Sequence, residues 1–506
     1  MDEQEARPKG TAGNEWFVNA PYQSQCCPKL RELFGIDLRS LAVFRIAAAV
    51  LILIDLLLRF PFIEANYTDI GVLPRVLVPD HPIFFLHSLS GVYSFQCLCF
   101  VLTAVFTVML LVGYRTTLAT VAVWFLLACL HVRNPFLLDG QDHLPRQLLF
   151  WSMFLPLGAR FSIDAAWNPR LRKGGTTVLS AASVAILCQF IFLYVTTGIV
   201  KTSPDWQTGT ALEVVLSDQN WTLPFGRFLL QFPQMLKVLT WAVVYFEIFG
   251  PFLMFLPVYT GPVRVLTIGV FLILQVGIGL SIELHLFPWT SSLATLPFIP
   301  VWFWNKLKSR AQIDVENKTS APTGSITNNL GPGNQRWWIG AREGLVCLFL
   351  LLAILLNLYW IGDGRDVQSL QSLQPLTKIA RSIGMNQRWI MYAGAVTHET
   401  TNVLVGVQQD GTEVEFLEVS GDKRWEKARH LHKSYRFRIA QGPILRFVGT
   451  RQVYLDWLCR QWNAEKTEDQ NLAFIRVFHD LRDIRPGKPG QRVRKLIVEH
   501  RYTSKN

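Results

Sequence analysis

The sequence predicts a polytopic α-helical membrane bundle of about nine transmembrane helices, followed by a C-terminal extracytoplasmic domain of the β-rich α+β class. Half of the 506 residues are hydrophobic and only 17% are charged, whereas soluble domains contain about 25% charged residues. The mean hydropathy of the chain is +0.25, and several apolar stretches approach the ~20 residues needed to span a bilayer. This composition excludes a disordered chain, a collagen and a coiled coil.

Nine apolar stretches are the expected membrane spans. They comprise residues 41–58, 92–114, 118–132, 147–158, 177–200, 236–258, 265–282, 290–304 and 344–361. The fourth and eighth stretches are short, so each could instead be a tilted or re-entrant segment, and eight spans are an alternative.

The distribution of basic residues predicts the orientation of the chain. With a cytoplasmic N-terminus, the inside segments hold 17 Lys and Arg residues and the outside loops hold 7, in agreement with the positive-inside rule. The N-terminal segment is polar, so no cleaved signal peptide is expected. The expected organisation is a cytoplasmic segment (1–40), a transmembrane bundle (41–305), a cytoplasmic linker (306–343), a last span (344–361) and an extracytoplasmic domain (362–506).

The C-terminal region is expected to fold as a separate unit after a flexible linker. Residues 317–335 are rich in Thr, Ser, Asn, Gly and Pro, which is typical of a linker. The last region alternates apolar and polar residues around an Asp-Gly turn, which is a hairpin signal, and it also contains one helical pattern. The expected strands are residues 401–407, 414–419, 472–478 and 493–498, and the expected helix is 444–462.

The charge and the cysteines exclude some functions. The net charge of +12 does not indicate nucleic-acid binding, because the basic residues are spread over loops and the C-terminal region. Beyond residue 361, 24 Lys and Arg residues oppose 16 Asp and Glu residues. Such a basic module could hold an acidic peptide or lie on anionic lipid, and a solvated basic surface is an equally good interpretation. The eight scattered cysteines have no metal-ligand spacing, so no metal is expected.

Ionisable residues at the ends of the predicted spans form the candidate site. Charges in a bilayer are costly and tend to face a cavity or to pair, and the predicted topology brings these residues to one outer face. They could converge on a half-buried pocket, although Lys and His residues at span ends are also common as snorkelling anchors. The residues are Asp139, Asp142, His143, Arg146, Lys201, Asp205, Trp206, Glu283 and His285.

A lysine and a histidine in such a pocket suit proton transfer. An amine beside apolar walls loses the solvation of its charged form, so the neutral amine becomes a usable base, whereas nearby carboxylates would keep it charged. A histidine can donate or pass a proton near neutral pH. The sequence has no nucleophile elbow, Walker loop, zinc-protease motif or paired Cys-x-x-Cys that would indicate another chemistry.

Three segments in matching order carry a family resemblance. They are residues 44–46 (FRI) with 67–75 (YTDIGVLPR), residues 148–158 (LLFWSMFLPLG), and residues 194–201 (YVTTGIVK) with Asp205, Trp206 and Gly209. Together they resemble the HTTM domain, the membrane domain of the vitamin K-dependent gamma-carboxylase family, over residues 38–304. A weaker similarity extends to residues 389–391 (WIM), which resemble a Trp-x-Met element at the start of the C-terminal region.

The resemblance implies a gamma-glutamyl carboxylase. Such an enzyme uses reduced vitamin K (the hydroquinone), O₂ and CO₂ to convert a glutamate of a protein or peptide to γ-carboxyglutamate, and it releases vitamin K epoxide. Lys201 matches the family's catalytic lysine, which deprotonates the hydroquinone. His143 matches a histidine that handles the proton or the glutamyl carbanion, and its presence favours a competent carboxylase over an inactive relative.

Five further residues are candidates for quinone or substrate binding: Asp142, Arg146, Trp206, His285 and Trp389. An interfacial tryptophan is the alternative interpretation of Trp389. The sequence departs from animal carboxylases in its short C-terminal region and in Val200, which stands before the lysine in place of a second basic residue. The short region bears on the choice of substrate more than on the chemistry.

Two other classes of function stay open. One is a non-carboxylating HTTM protein that oxidises a quinol to its epoxide or modifies another substrate with the same lysine. The other is a non-enzymatic membrane scaffold or transporter, although the sequence has no clear internal repeat of the kind found in transporters. The expected partners are membrane lipid and a Glu-containing protein or peptide, and the oligomeric state is left open.

Overall fold

The computed structural model describes residues 28–78, 81–168, 175–312, 334–394, 397–415, 423–464, 466–485, 490 and 492–501. Most of the predicted N-terminal segment, residues 317–333 of the predicted linker and residues 416–419 of the second predicted strand lie outside this part of the chain. The described residues form a mostly helical bundle and a C-terminal region that combines helices with a β-sheet.

The helices and strands follow one another as a long helical part with a late sheet. The helices are α1 (Pro28–Phe34), α2 (Leu38–Arg59), α3 (Ile63–Tyr67), α4 (Tyr93–Val112), α5 (Thr116–Arg133), α6 (Gly140–Ser152), α7 (Ile163–Trp167), α8 (Ala181–Ile199), α9 (Pro204–Thr208), α10 (Ala211–Ser217), α11 (Pro224–Leu229), α12 (Pro233–Leu253), α13 (Thr260–Ser281), α14 (Phe287–Leu293), α15 (Val301–Gln312), α16 (Asn334–Gly364), α17 (Pro375–Ser382), α18 (Lys423–Lys433), α19 (Tyr435–Arg446) and α20 (Val448–Asn463). The strands are β1 (Ile36–Asp37), β2 (Thr177–Val178), β3 (His398–Gln408), β4 (Glu413–Glu415), β5 (Leu472–Asp483) and β6 (Val493–Arg501).

Seven helical segments of the described chain are long and apolar enough to cross a membrane, which indicates an integral membrane protein. They are Leu38–Tyr67, Tyr93–Val112, Thr116–Arg133, Ala181–Ile199, Pro233–Leu253, Thr260–Ser281 and Trp337–Gly364. Large apolar side chains such as Leu98, Ile273 and Leu348 are exposed on these helices. An exposed apolar surface of this kind suits contact with lipid.

The other two predicted spans do not form membrane-length helices. Of residues 147–158, only the part up to Ser152 is helical: it belongs to α6, which has 13 residues and ends there. Residues 290–304 are divided among α14, a short 3₁₀ helix (Leu296–Phe298) and α15. Most residues of α6 are buried by neighbouring protein, so its apolar character reflects packing inside the bundle rather than contact with lipid.

Helix α8 lies at the centre of the bundle and determines where Lys201 is placed. Ser180 and Ser183 begin the helix with a reciprocal capping box. Near its end, Gly198 lies so close to α12 that a Cβ atom there would approach Cγ1 of Ile248 to 2.7 Å. The missing side chain lets the two helices come together, and Lys201, two residues beyond α8, contacts Glu247 of α12.

The C-terminal region contains a four-stranded antiparallel sheet in the order β4-β3-β5-β6. The predicted hairpin is confirmed, since Val405 of β3 lies opposite Glu415 of β4, and the two later predicted strands are β5 and β6. The single predicted helix 444–462 is wrong, because the chain is extended at Phe447, between α19 and α20. Apolar residues continue at helical spacing on both sides of this break, so hydropathy did not reveal it.

The C-terminal region packs directly against the bundle. One continuous cluster of buried apolar side chains runs through both, and it includes Phe190 of α8, Trp389 and Leu404 of β3. Helix α19 makes polar contacts as well: its Arg436 donates to the carbonyl of Leu137 at 3.0 Å. This helix therefore contributes side chains to the polar groups at one end of the bundle.

Candidate functional site

Four charged side chains form a buried cluster at the end of helix α2. Arg59 donates to Asp55 at 2.8 Å and also pairs with Asp142. Arg436 pairs with the same two carboxylates, at 2.8 Å from Oδ2 of Asp142. We call these residues the charged cluster. Two cations and two anions balance one another there, and this balance offsets part of the cost of burying them.

The start of α6 holds Asp142 in this cluster. Asp139 caps the helix by accepting from the amide of Gln141 at 2.9 Å, and Asp142 accepts from the amide of Asp139 at 3.1 Å, which completes a capping box. Burial alone would raise the pKa of Asp142, but Arg436 and Arg59 outweigh burial and lower it to about 2. Burial, reinforced by the charge of Asp142, raises the pKa of Asp139 to about 6. The pKa values of Asp139 and Asp142 therefore differ widely, although both residues lie in the same helix turn.

A small cavity of about 20 Å³ adjoins the charged cluster. One side is apolar, with Leu51, Leu127 and Leu286, and the other is polar. The polar side comprises Asp55, His131, Gln141, Asp142, Thr290 and Arg436. This volume has room for about one water molecule, so the cavity could hold a hydrating water but not a quinone or a peptide side chain.

Arg146 joins two histidines next to the charged cluster. Its Nη1 donates to Nδ1 of His131 at 3.2 Å, and its Nη2 donates to Nδ1 of His143 at 3.1 Å. A guanidinium has only donors, so both Nδ1 atoms must accept, and each neutral ring carries its proton on Nε2. Burial first, and then the charge of Arg146, lowers the pKa of His143 to about 4. His143 is therefore neutral near pH 7 and presents an Nε2–H donor.

Lys201 forms a buried ion pair with Glu247. Its Nζ donates to Oε2 of Glu247, and the two residues are only 8% and 6% exposed. Glu247 lies fourteen residues beyond Pro233, which starts α12, and this spacing corresponds to about 21 Å along the helix axis. Lys201 thus does not extend to solvent as a snorkelling anchor would, and the sequence analysis missed its partner.

An indole ring covers the lysine. Nζ of Lys201 lies 4.9 Å from the ring centroid of Trp206, which is within the range of a cation–π contact. Nε1 of Trp206 donates to the carbonyl of Tyr392 at 2.8 Å. Trp206 is therefore held in place from the C-terminal side of the chain, and it forms one wall around the amine.

Residues 384–392, which we call the connecting segment, run between the histidines and the lysine. Near the start of this segment, the carbonyl of Asn386 accepts from Nη2 of Arg146 at 3.3 Å. At its end, Tyr392 holds Trp206. Between these points, Met391 packs against Gly140, where a Cβ atom would meet its sulfur at 3.1 Å. The connecting segment therefore contacts Arg146, which binds His143, and Trp206, which covers Lys201.

Trp389 is buried inside the connecting segment. It is 0% exposed, so its indole is enclosed by protein rather than presented to lipid. Its Nε1 donates to Oε1 of Gln387 at 2.9 Å, and the same oxygen accepts from Nε2 of Gln189 at 2.6 Å. Gln189 in turn accepts from Nε1 of Trp151 at 3.1 Å. This chain of amides and indoles fastens the connecting segment to α6 and α8.

His285 belongs to the group around the start of α6. Its Nδ1 lies 2.9 Å from Oε1 of Gln141, and its ring stacks on Tyr435 with the centroids 5.3 Å apart. Tyr435 donates its hydroxyl to Oδ2 of Asp139 at 2.8 Å. Burial, followed by the charge of Arg436, lowers the pKa of His285. These contacts fill the space between α14, α6 and α19.

The predicted site residues therefore form two groups rather than one pocket. In the first group, Asp142, His143 and Arg146 belong to α6, and His285 contacts its first turn. In the second group, Lys201 and Trp206 lie beside α12. Within the described chain, no hydrogen bond or ion pair joins Lys201 to His143, and the connecting segment bridges the two groups. Glu283 pairs with Arg438 at 2.6 Å, and Asp205 accepts from the amide of Thr210 near the start of α10. Four charged residues of the two groups were not predicted from the sequence: Asp55, Arg59, Glu247 and Arg436.

The fold and these contacts define an integral membrane protein whose polar site lies inside a helical bundle and is completed by the C-terminal region. Residues 35–304 match the family model of the HTTM domain. Because this match covers more than half of the 506 residues, the chain belongs to the HTTM domain family. The match includes His143, Lys201 and Glu247 and ends before Trp389 and Arg436.

The HTTM domain is associated with vitamin K-dependent carboxylase/epoxidase-type membrane proteins, and its family includes enzymes. No curated protein and no solved structure gives a significant match to the chain.

Proposed function

We propose that this protein is an integral membrane vitamin K-dependent gamma-glutamyl carboxylase. It would convert a peptide glutamate to γ-carboxyglutamate while reduced vitamin K is oxidised to its epoxide. The observation that carries the proposal is the environment of Lys201. Within the HTTM match, this lysine is buried, paired with Glu247 and covered by Trp206, which is an unusual setting for a lysine unless its proton has a use.

The pair with Glu247 bears on how Lys201 could act as a base. An ammonium cannot accept a proton, so the amine must first lose one. Glu247 is the acceptor in direct hydrogen-bond contact with Nζ. If the proton moves to the carboxylate, both groups become neutral, and a neutral pair costs less to bury than a charged pair. The lone pair of Lys201 then accepts the O–H of Glu247, and this hydrogen bond has to break before the amine takes a hydroxyl proton of the hydroquinone.

The overall reaction balances without a metal. The hydroquinone and O₂ supply the oxidation, giving the epoxide and water. The substrate glutamate loses a proton from its γ-carbon to the strong base that the oxidation of the hydroquinone by O₂ would supply, and the carbon–hydrogen electron pair forms the new carbon–carbon bond to CO₂. In this scheme the protein's residues remove one proton at Lys201 and position the glutamyl side chain. No residue of the chain changes its oxidation state.

His143 would act as a hydrogen-bond donor in this scheme. Arg146 occupies its Nδ1, and the ring is neutral, so Nε2–H is the group that it offers to a ligand. A neutral donor stabilises an enolate-like or carboxylate oxygen without adding a buried charge. Asp142 and His285 are already engaged by Arg59, Arg436 and Gln141, so we assign them to positioning α6.

The first test is a direct assay on protein purified in detergent. It uses reduced vitamin K, O₂, labelled bicarbonate and a Glu-containing peptide. Wild type is compared with Lys201→Ala and with Lys237→Ala, whose lysine also lies over an indole, that of Trp241, but on the exposed surface. We expect label in the peptide that is lost by at least a hundredfold in Lys201→Ala and kept in Lys237→Ala.

Other outcomes separate the alternatives. Epoxide formed without label would favour a non-carboxylating HTTM enzyme that uses the same lysine. If neither product forms with peptides drawn from the host's own proteins, and Lys201→Ala behaves like wild type in the cell, a scaffold or transporter would be favoured. We also propose the orientation with a cytoplasmic N-terminus and an extracytoplasmic C-terminal region, and protease access to the C-terminal region in sealed vesicles tests it.

A further inference from the structure

Arg146 is a buried cation without a buried counter-charge in contact. It is 6% exposed. Its hydrogen-bond partners are the neutral rings of His131 and His143 and the carbonyl of Asn386. Among the described residues, no carboxylate forms an ion pair with it. Charged residues are seldom buried unless they are paired, so this arrangement needs an explanation.

The neighbouring arginines make the contrast clear. Arg59 and Arg436 each pair with Asp55 and Asp142. Both oxygens of Asp142, the acid that acts most on Arg146 electrostatically, are engaged by those two arginines. The charged cluster is therefore already neutral as a set, and the positive charge of Arg146 lies outside that balance.

Arg146 also has unused donors. Its Nε is buried and has no hydrogen-bond partner among the described residues. A guanidinium has five N–H groups, and its contacts with His131, His143 and Asn386 account for three. Next to it, the Nε2–H of His143 points away from the Nδ1 that Arg146 occupies. Arg146 thus keeps unused donors and an unbalanced positive charge, and the neighbouring His143 has one further unused donor.

We propose that Arg146 is the residue that binds the carboxylate of the substrate's glutamyl side chain, with His143 as the neighbouring donor. The inference rests on the proposed function for the identity of the ligand as a glutamyl residue. A carboxylate would supply the missing negative charge and accept from the free Nε–H, as arginine–carboxylate pairs do. His143 is partly exposed, so we expect the glutamyl side chain to enter beside its ring. Arg146 would then select Glu over Gln.

The test measures binding rather than turnover. A short apolar peptide with one Glu, and the same peptide with Gln in its place, are titrated into the purified full-length protein without hydroquinone. We expect wild type to bind the Glu peptide at least tenfold more tightly, since a hydrogen bond to a charged group is worth about that factor or more. Arg146→Gln should bind both peptides equally. Arg446→Gln, on the exposed end of α19, should keep the preference.

A second measurement uses the wild-type protein and so does not depend on the folding of a variant. Phenylglyoxal modifies arginines that small molecules can reach, and mass spectrometry follows Arg146. Complete resistance of Arg146 to the reagent in the free protein would overturn the inference, because a ligand could not reach it either. The Glu peptide should slow this modification several-fold and the Gln peptide should not. Protection by bicarbonate alone, without protection by the Glu peptide, would overturn the inference, as would a folded Arg146→Gln variant that still prefers Glu.

The role of Arg146 in binding and the proposed carboxylation reaction can be confirmed or refuted independently of each other. If no carboxylation or epoxidation occurs but Glu-selective binding depends on Arg146, the site stands and the reaction fails. If label enters the peptide while Arg146→Gln leaves the KM for the Glu peptide unchanged, the reaction stands and the site fails.

Discussion

Nζ of Lys201 donates to Oε2 of Glu247, across the close approach of α8 and α12 that Gly198 permits. The two residues are 46 positions apart in the sequence, and each is the other's charged partner in a buried setting. Burial disfavours both charges and the pairing favours them. Glu247 is therefore the charged group in direct contact with this amine, and it can be altered by substitution.

Glu247→Gln should make the amine of Lys201 more reactive. The substitution keeps an acceptor oxygen but removes the negative charge, so burial then favours the neutral amine. We expect acylation of Lys201 at neutral pH, measured by mass spectrometry, to become about tenfold faster, which corresponds to a change of about 1.4 kcal/mol in the proton equilibrium. Glu283→Gln, which removes the partner of Arg438 instead, is the control. Unchanged labelling of Lys201 in Glu247→Gln would contradict the pairing.

Trp206→Phe should leave the aromatic ring beside Lys201 less firmly held in position. The ring face is retained, but the hydrogen bond to the carbonyl of Tyr392 is lost and the oxygen has no replacement donor. We expect a loss of about 1 kcal/mol in stability and a several-fold lower rate of hydroquinone oxidation. Trp241→Phe is a matched control, because Trp241 also donates to a carbonyl and lies beneath a lysine but is 38% exposed, against 5% for Trp206. Equal effects of the two substitutions would argue against a special role for Trp206.

Arg436→Gln should loosen the C-terminal region from the bundle. Among the described residues it leaves Asp55 and Asp142 with Arg59 as their only arginine. Removing one partner of a buried pair typically costs about 3–5 kcal/mol. We expect a lower thermal midpoint in detergent and faster proteolysis within the connecting segment. Arg446→Gln at the other end of the same helix is exposed and should change neither. If both variants resist protease as wild type does, the charged cluster does not hold the two parts together.

Asp139→Asn should stabilise the protein in a pH-dependent way. An unfolded Asp139 loses its proton near 3.8, whereas burial and Asp142 raise its folded pKa to about 6. The folded state therefore becomes progressively penalised as pH rises between these values, and the full penalty, up to about 3 kcal/mol, applies above pH 6. Asparagine caps a helix as well as aspartate does. The thermal midpoint should exceed that of wild type at pH 8 and match it near pH 4.

The control for this titration is Asp410→Asn, which makes the same substitution at an exposed carboxylate of the hairpin turn that also accepts from a backbone amide. If Asp139→Asn raises the thermal midpoint equally at every pH, ionisation of Asp139 does not destabilise the folded protein.

Hydropathy predicted the seven long spans because lipid-facing helices must be apolar over ~20 residues. It failed for residues 147–158, since a short helix buried by protein on most sides is equally apolar. Likewise, the alternating pattern predicted the hairpin of β3 and β4, but no local signal revealed the break at Phe447.

A site residue could be predicted only where the neighbouring sequence marks it as unusual. Lys201 and His143 stand out as polar residues at the ends of apolar stretches. Glu247 could also have been identified, because a lone carboxylate within an apolar span is a functional candidate by default. Arg436 could not, since it joins Asp142 from 294 residues away and nothing in its own surroundings marks that contact.

That separation has a consequence for how the protein is made. A chain grows from its N-terminus, so Asp55, Arg59 and Asp142 are synthesised and inserted long before Arg436 exists. Until the ribosome has passed α19, two acids share one arginine inside the bundle. The charged cluster of the nascent membrane part thus lacks one of its two arginines until α19 has been synthesised and has packed against the bundle. A protein truncated after α16 would be arrested in that intermediate condition, and we expect cellular quality control to recognise it.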